Sequence, residues 1–330
     1  MSEPRTSLPI THEQIESNGI ELHVAACGPA KGKPVVLCHG FPELWYSWRH
    51  QLVALGEAGY RALAPDLRGY GGSSHPTEVA DYGSDKLTGD LCGLLDHYGY
   101  DKAAFVGHDW GAMVVWEQGR LHPERVASVF NMSVPYSNAP APPTEIFKVI
   151  FEGKFFYILY FQTVGVAEAE LEADPRHFMR TMLYAAGAEG MVGAGPLLPD
   201  APAEGTRFMD ILGEAPDQLP AWVTEHDVDV YADAFKKGGF FGPVSYYRNM
   251  DANWERSKDI PSSVYTMPVG FLTGTLDPVR AMMPGAAEAM AEAFSDFRGA
   301  TDVEGAAHWV QQEKPAETNA ALLGFLADAA

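Results

Sequence analysis

Apolar and polar positions recur along this chain in two rhythms, and the change of rhythm divides it. Ile15 to Asn18 and Ile20 to Ala26 read as two strands joined at Asn18-Gly19, the strongest short-range signal for a tight hairpin. Lys33-Pro34-Val35-Val36-Leu37-Cys38 is a continuous apolar run, as expected of a central parallel strand buried on both faces. A helical stretch follows through Trp48 to Leu55, then a strand at Arg61 to Asp66, a glycine-rich loop, and a helix near Asp85 to Tyr98. Ala103 to Gly107 reads as another buried strand, Met113 to Trp116 with its flanks as the start of a helix, and Val126 to Phe130 as a strand. Such alternation predicts an α/β fold, a mostly parallel central sheet with helices on both faces.

The rhythm stops at Pro135. From Tyr136 to Met250 the chain is helical and aromatic, broken by prolines and glycines. Strands resume at Val269 to Thr273 and near Phe297 to Val303, and Lys314 to Ala327 forms a last helix. Three segments are therefore expected: a first half of the core over 1–135, a helical cap over 136–250, and a second half of the core over 251–330. The cap should lie over the carboxyl ends of the strands, where open parallel sheets place their ligands.

Composition narrows the function classes. The 330 residues are 46% hydrophobic and 20% charged, ordinary for a globular enzyme, and the formal charge of -21 repels nucleic acid and anionic membrane surfaces. Cys27, Cys38 and Cys92 have no framework spacing, and Cys38 sits in an apolar run, so a reducing, cytoplasmic setting is expected. The segment Met1 to Ser7 lacks the apolar run that a signal peptide needs. Val149 to Val166, the most apolar stretch, is interrupted by Glu152 and Lys154 and reads as a lid or core helix, with no membrane span.

The chemistry centres on Gly107-His108-Asp109-Trp110-Gly111. A Gly-x-nucleophile-x-Gly turn between strand and helix is the nucleophile elbow of the α/β-hydrolase fold, here with aspartate where serine usually stands. The order nucleophile, acid, histidine makes Asp277 and His308 the expected partners of Asp109. His39 and His108 flank other motifs and are expected to support the loop and the turn. The loop His39-Gly40-Phe41-Pro42-Glu43 follows the third strand, so the amides of Phe41 and Trp110 are expected to form an oxyanion hole. Asp66, in Asp66-Leu67-Arg68-Gly69-Tyr70-Gly71, reads as a structural loop residue.

A carboxylate nucleophile points to displacement at saturated carbon. Serine would leave an ether that activated water cannot cleave, whereas aspartate leaves an ester that it can. The leaving group is then a halide or the oxygen of an epoxide. A halide departs as a weak base, whereas an alkoxide needs a proton donor. Phenols stand near both ends of the insertion, in Phe155 to Gln162 and in Val244 to Asn249. If the first stretch is helical, Tyr157 and Tyr160 share a face, and spacing leaves both open.

Residues His39 to Gln51, the Gly-His-Asp-Trp-Gly elbow, Tyr160-Phe161-Gln162, Gly165 to Leu171, Tyr247-Arg248-Asn249, and His308-Trp309 before Lys314-Pro315 together resemble the soluble epoxide hydrolases, over nearly the whole chain. The resemblance implies Asp109 as nucleophile, His308 as base, Asp277 as its orienting acid, Tyr157 and Tyr247 as paired donors to the epoxide oxygen, and Phe41 and Trp110 as oxyanion amides. Asp277 lies in the loosest-matching motif. His39, Pro42, Tyr160 and Tyr246 are expected to contact substrate. The implied reaction takes a small lipophilic epoxide and water to a vicinal diol, with no cofactor and no metal; a homodimer is compatible. The rivals are a haloalkane dehalogenase sharing the Asp elbow and a silent hydrolase-fold binding protein.

Overall fold

In the computed structural model, residues 8–194 and 200–329 are described. Eight strands form one sheet: β1 (Thr11–Ser17), β2 (Ile20–Cys27), β3 (Pro34–Cys38), β4 (Arg61–Pro65), β5 (Ala103–His108), β6 (Val126–Met132), β7 (Val269–Gly274) and β8 (Phe297–Val303). Their spatial order is β1-β2-β4-β3-β5-β6-β7-β8. From β4 to β8 all neighbours are parallel, and β2 runs antiparallel to both β1 and β4. The hairpin turn is Asn18-Gly19, both with positive φ, as a two-residue turn between twisted strands requires.

Helices cover both faces. On one side lie α1 (Arg49–Glu57) and the last helix, and on the other α2 (Ser84–Tyr98) and α3 (Trp110–Leu121). The central strands read as unbroken apolar runs because alternate side chains feed two cores. Val36, Cys38 and Phe105 join the core under α2 and α3, while Val35, Leu37, Ala104 and Val106 join the one under α1.

Between β6 and β7 the chain is helical, as expected. The segment holds α4 (Pro143–Ile150), α5 (Tyr157–Tyr160), α6 (Val166–Leu171), α7 (Pro175–Ala185), α8 (Ala188–Ala194), α9 (Phe208–Leu212), α10 (Glu225–Gly238), α11 (Phe241–Arg248) and α12 (Met250–Ser257). Short helices α13 (Pro278–Met282) and α14 (Ala286–Ala293) link β7 to β8, and α15 (Val310–Glu313) precedes α16 (Pro315–Asp328), the last helix. The local signals are direct: Asp174 caps α7 ahead of Pro175, and Thr224 with Asp227 forms a capping box at α10.

One expectation fails. Val149 to Val166 is not one lid or core helix: α4 ends at Ile150, a turn carries Glu152 and Lys154, and only single-turn α5 follows before α6. Val149 is 79% exposed and Ile150 62%, so apolar content there marks surface as well as core. Among the described residues no helix is long and apolar enough to cross a membrane.

The insertion is seated on loops at the carboxyl ends of the strands. Tyr46 donates to Asp227 at 2.8 Å, and Tyr246 donates to the Arg68 carbonyl at 2.8 Å. Arg68 itself forms a buried two-pronged pair with Asp90, at 2.8 and 2.7 Å. As expected for a structural loop, Asp66 accepts the amide hydrogens of Trp45 and Gly72. Arg68→Ala leaves Asp90 buried without its cation, so a loss of about 3–5 kcal/mol is expected. An unchanged urea midpoint would mean that the pair contributes nothing to this seat.

Candidate active site

β5 ends at His108 and α3 begins at Trp110, leaving Asp109 alone in the turn at φ 51 and ψ -120. A non-glycine residue held there stores roughly 1–3 kcal/mol, so its surroundings must define it closely. They do. A Cβ on Gly111 would stand 1.9 Å from the Cys38 carbonyl oxygen, and one on Gly107 would stand 2.4 Å from the Gly111 carbonyl. Glycine at 111 therefore lets the turn close against the end of β3, and glycine at 107 lets β5 fold back onto the first turn of α3. Asp109 Oδ1 accepts the Phe41 amide hydrogen at 2.8 Å, and Oδ2 lies 3.5 Å from His308 Nε2. Trp110 N–H belongs to the first turn of α3, whose amides have no intrahelical acceptor.

His308 follows β8, and Asp277 follows β7 as the N-cap of α13, accepting from Val279 N–H at 2.9 Å. His308 Nδ1 lies 3.3 Å from Asp277 Oδ1. Burial pushes the imidazole down, but the carboxylates of Asp277 and Asp109 outweigh it and hold His308 well above its ordinary value. Burial would raise Asp277, and the facing His308 charge with its hydrogen bond pulls it below the usual range instead.

A cavity of about 720 Å³, counting its open mouth, joins Asp109, His308 and Phe41 to the insertion. Tyr157 on α5 and Tyr247 on α11 both line it, their ring centroids 5.8 Å apart. Burial, then the Asp109 charge, raises the Tyr157 phenol, and burial, Tyr157 and Asp109 raise Tyr247, so both stay protonated. The remaining wall is apolar, with Phe155, Phe156, Phe208, Ile211, Leu212 and Met282. Among the described residues no three His, Cys, Asp or Glu side chains are gathered in a way that could hold a metal.

Four residues expected to contact substrate do not line this cavity: His39, Pro42, Tyr160 and Tyr246. His39 is fully buried, and its ring is spent on the Gly40 carbonyl and the Leu67 amide. Pro42 is buried in the loop after β3. Tyr160 points its hydroxyl to Glu170 at 2.8 Å, so the one-turn α5 separates it from Tyr157. Tyr246 is buried with its hydroxyl on the Arg68 carbonyl. His39 and Tyr246 serve the scaffold because their polar atoms find backbone partners, and Tyr160 because its hydroxyl finds the Glu170 carboxylate.

Sequence reasoning also missed two buried pairs behind the site. Glu43 Oε2 meets His108 Nδ1 at 2.6 Å, and His108 Nε2 donates to the His308 carbonyl at 2.6 Å. Burial would raise Glu43, yet the His108 charge pulls it down to about 2. In the insertion, Arg248 grips both oxygens of Glu168, at 2.7 and 3.0 Å, and donates to the Phe161 carbonyl. The grip ties α11, which carries Tyr247, to α6, and the carbonyl bond ties it to the end of α5, which carries Tyr157. The residues were visible inside the quoted motifs, but nothing in their spacing joined them.

Comparison with known proteins gives the family of this chain. Residues 33–186 match the family described as alpha/beta hydrolase fold. The chain is 45% identical over 317 residues to epoxide hydrolase A of Mycobacterium tuberculosis, covering 96% of this chain and 97% of that protein. It is 39% identical over 325 residues to epoxide hydrolase 2 of Siraitia grosvenorii, covering 96% and 98%. Among solved structures, epoxide hydrolase A from Mycobacterium thermoresistibile superposes with a TM-score of 0.89 at 46% identity, covering 97% of this chain and 98% of that one.

The ion pair has a signed consequence. Because the folded value of His308 is raised, its stabilisation is fully present below its unfolded value of about 6.5 and is lost as pH rises through the native value. Asp277→Asn removes a raising charge, so the His308 ring titration followed by NMR should move to lower pH by about one unit or more. The alkaline loss of stability should move with it. An unmoved titration would show that Asp277 does not hold the imidazolium.

Proposed function

The chain belongs to the epoxide hydrolases of the α/β-hydrolase superfamily, and from that premise we propose that it makes vicinal diols through a covalent alkyl ester on Asp109. One arrangement carries this reading. The two oxygens of Asp109 have different partners, Oδ1 on the Phe41 amide and Oδ2 towards His308, beneath two protonated phenols in one apolar cavity. Residues 136–250 act as the cap, 1–135 and 251–330 as the core that supports the nucleophile and base.

In the first step Oδ2 attacks an epoxide carbon and the carbon–oxygen bond of the ring breaks. Tyr157 and Tyr247 hydrogen-bond the ring oxygen and supply its proton, an effect worth roughly 10²–10⁴-fold. Esterification cancels the Asp109 charge that had raised both phenols, so they become stronger acids as the alkoxide develops. The same loss of charge lowers His308 in the ester form, freeing Nε2 of its proton, which restores the phenol through solvent.

In the second step neutral His308 takes a proton from water, which attacks the Asp109 carbonyl carbon. Asp277 holds the ring and balances the imidazolium. The new oxyanion is the former Oδ1, already on the Phe41 amide, with Trp110 N–H as second donor; one such donor is worth roughly 10²–10³-fold. Collapse breaks the ester carbon–oxygen bond, the leaving alkoxide takes the proton of the added hydroxyl to become the diol, and the carboxylate returns with one oxygen from water. No step calls on a cofactor or metal. The Phe, Leu, Ile and Met wall suits a small lipophilic epoxide, and three unpaired cysteines suit a reducing cytoplasm.

A single turnover in oxygen-18 water should give a first diol without label, its added oxygen coming from Asp109; label there would mean direct attack by water. His308→Gln should slow ester breakdown by roughly 10²-fold or more, leaving an alkyl adduct on Asp109 visible by intact mass. Tyr157→Phe with Tyr247→Phe should instead abolish adduct formation. Halide release from a haloalkane, with no diol from any epoxide, would favour the dehalogenase alternative.

A further inference from the structure

The loop that carries His308 is bolted to the insertion through a buried carboxylate, Glu313, which the mechanism above does not use. Its Oε1 accepts the amide hydrogens of Ala307 at 3.2 Å and Trp309 at 2.9 Å, the two residues flanking His308. Its Oε2 accepts from Ala307 at 3.1 Å and from Ala188, the first residue of α8, at 2.9 Å. His308 N–H donates to the Ala186 carbonyl at 3.1 Å, and the Trp309 indole donates to the Leu183 carbonyl at 2.9 Å. On the opposite side the His308 carbonyl accepts from His108 Nε2 and the Ser133 hydroxyl. Both backbone polar groups of the base are thus occupied, one by the insertion and one by the core.

Met182 and Ala186, in and just beyond α7, line the cavity, so the segment bonded to the base loop is also a wall of the substrate site. Burial pushes the Glu313 carboxyl up to about 7 against the pull of its amide donors, and Glu189 adds to the rise. A group buried at that cost contributes only through what it holds.

We propose that Glu313 is a positioning residue for ester hydrolysis, coupling the seat of segment 186–188 to the reach of His308 towards Asp109. The inference rests on His308 acting as the base in the reading above. It separates the two half-reactions: Asp109 and the tyrosines make the ester without the His308 loop, whereas breaking it needs the base within a fraction of an ångström.

The test is rapid quench and intact mass of the Asp109 adduct with styrene oxide as probe, in wild type, Glu313→Gln, Glu313→Ala, Ala188→Pro and a His308→Gln control. Proline is tolerated at the first position of a helix, so Ala188→Pro removes only the insertion's bond to the clamp and reports even if the Glu313 variants fold poorly. Adduct formation should stay within about twofold of wild type while its decay slows roughly tenfold, more in Glu313→Ala than in Glu313→Gln, because small misplacements of a catalytic group are costly. Equal slowing of both steps, or no change in decay with Ala188→Pro, overturns the proposal while an adduct in His308→Gln leaves the reaction reading intact. No adduct in His308→Gln removes that reading and this one with it.

Discussion

The structure depends on one carboxylate held in a backbone conformation that its residue type disfavours. Asp109 at φ 51 is the only residue between β5 and α3. The end of β3 closes on it from one side, with Gly111 against the Cys38 carbonyl, and the Phe41 amide pins Oδ1. Pinning one oxygen makes the two inequivalent. In the reaction proposed above, that inequivalence lets a single side chain be first an attacking group and then an acyl centre.

Around this point the protein packs charge at low dielectric, where interactions are strong and unpaired groups costly. Asp277 and Glu43 would each be penalised by burial alone. His308 answers the first and His108 the second, so acid and base are arranged in compensated pairs. In the reaction proposed above, removing the Asp109 charge by forming an ester changes the acidity of the two phenols and the imidazole that face it, and the order of proton transfers follows from that charge.

The phenols reach their places by a longer chain of contacts. Tyr247 is boxed by the edges of Phe41, Trp110 and Phe161, and Tyr157 packs on Phe161 and Phe208. Arg248, donating to the Phe161 carbonyl, links the two segments, while Tyr46 with Asp227 and Tyr246 with Arg68 fasten the insertion to the loops after β3 and β4. Precision at the donors is therefore a property of packing far from them, which is why these anchors are aromatic and ionic.

Much of this was legible in the sequence. Unbroken apolar runs placed the parallel strands because burial on both faces leaves no polar alternation. Asn18-Gly19 placed the hairpin because two positive φ angles need such residues. Gly107 to Gly111 exposed the elbow because a carboxylate between glycines has few other uses. Local backbone chemistry and binary pattern act over a few residues and can be read residue by residue. The Val149 to Val166 stretch was misread because apolar content alone does not say which side meets solvent. The scaffold contacts of His39, Tyr160 and Tyr246, and the pairs Glu43–His108 and Arg248–Glu168, were decided only in three dimensions. Each depends on which partner, tens to hundreds of residues away, satisfies a buried polar atom, and that is settled by packing and desolvation rather than by spacing along the chain.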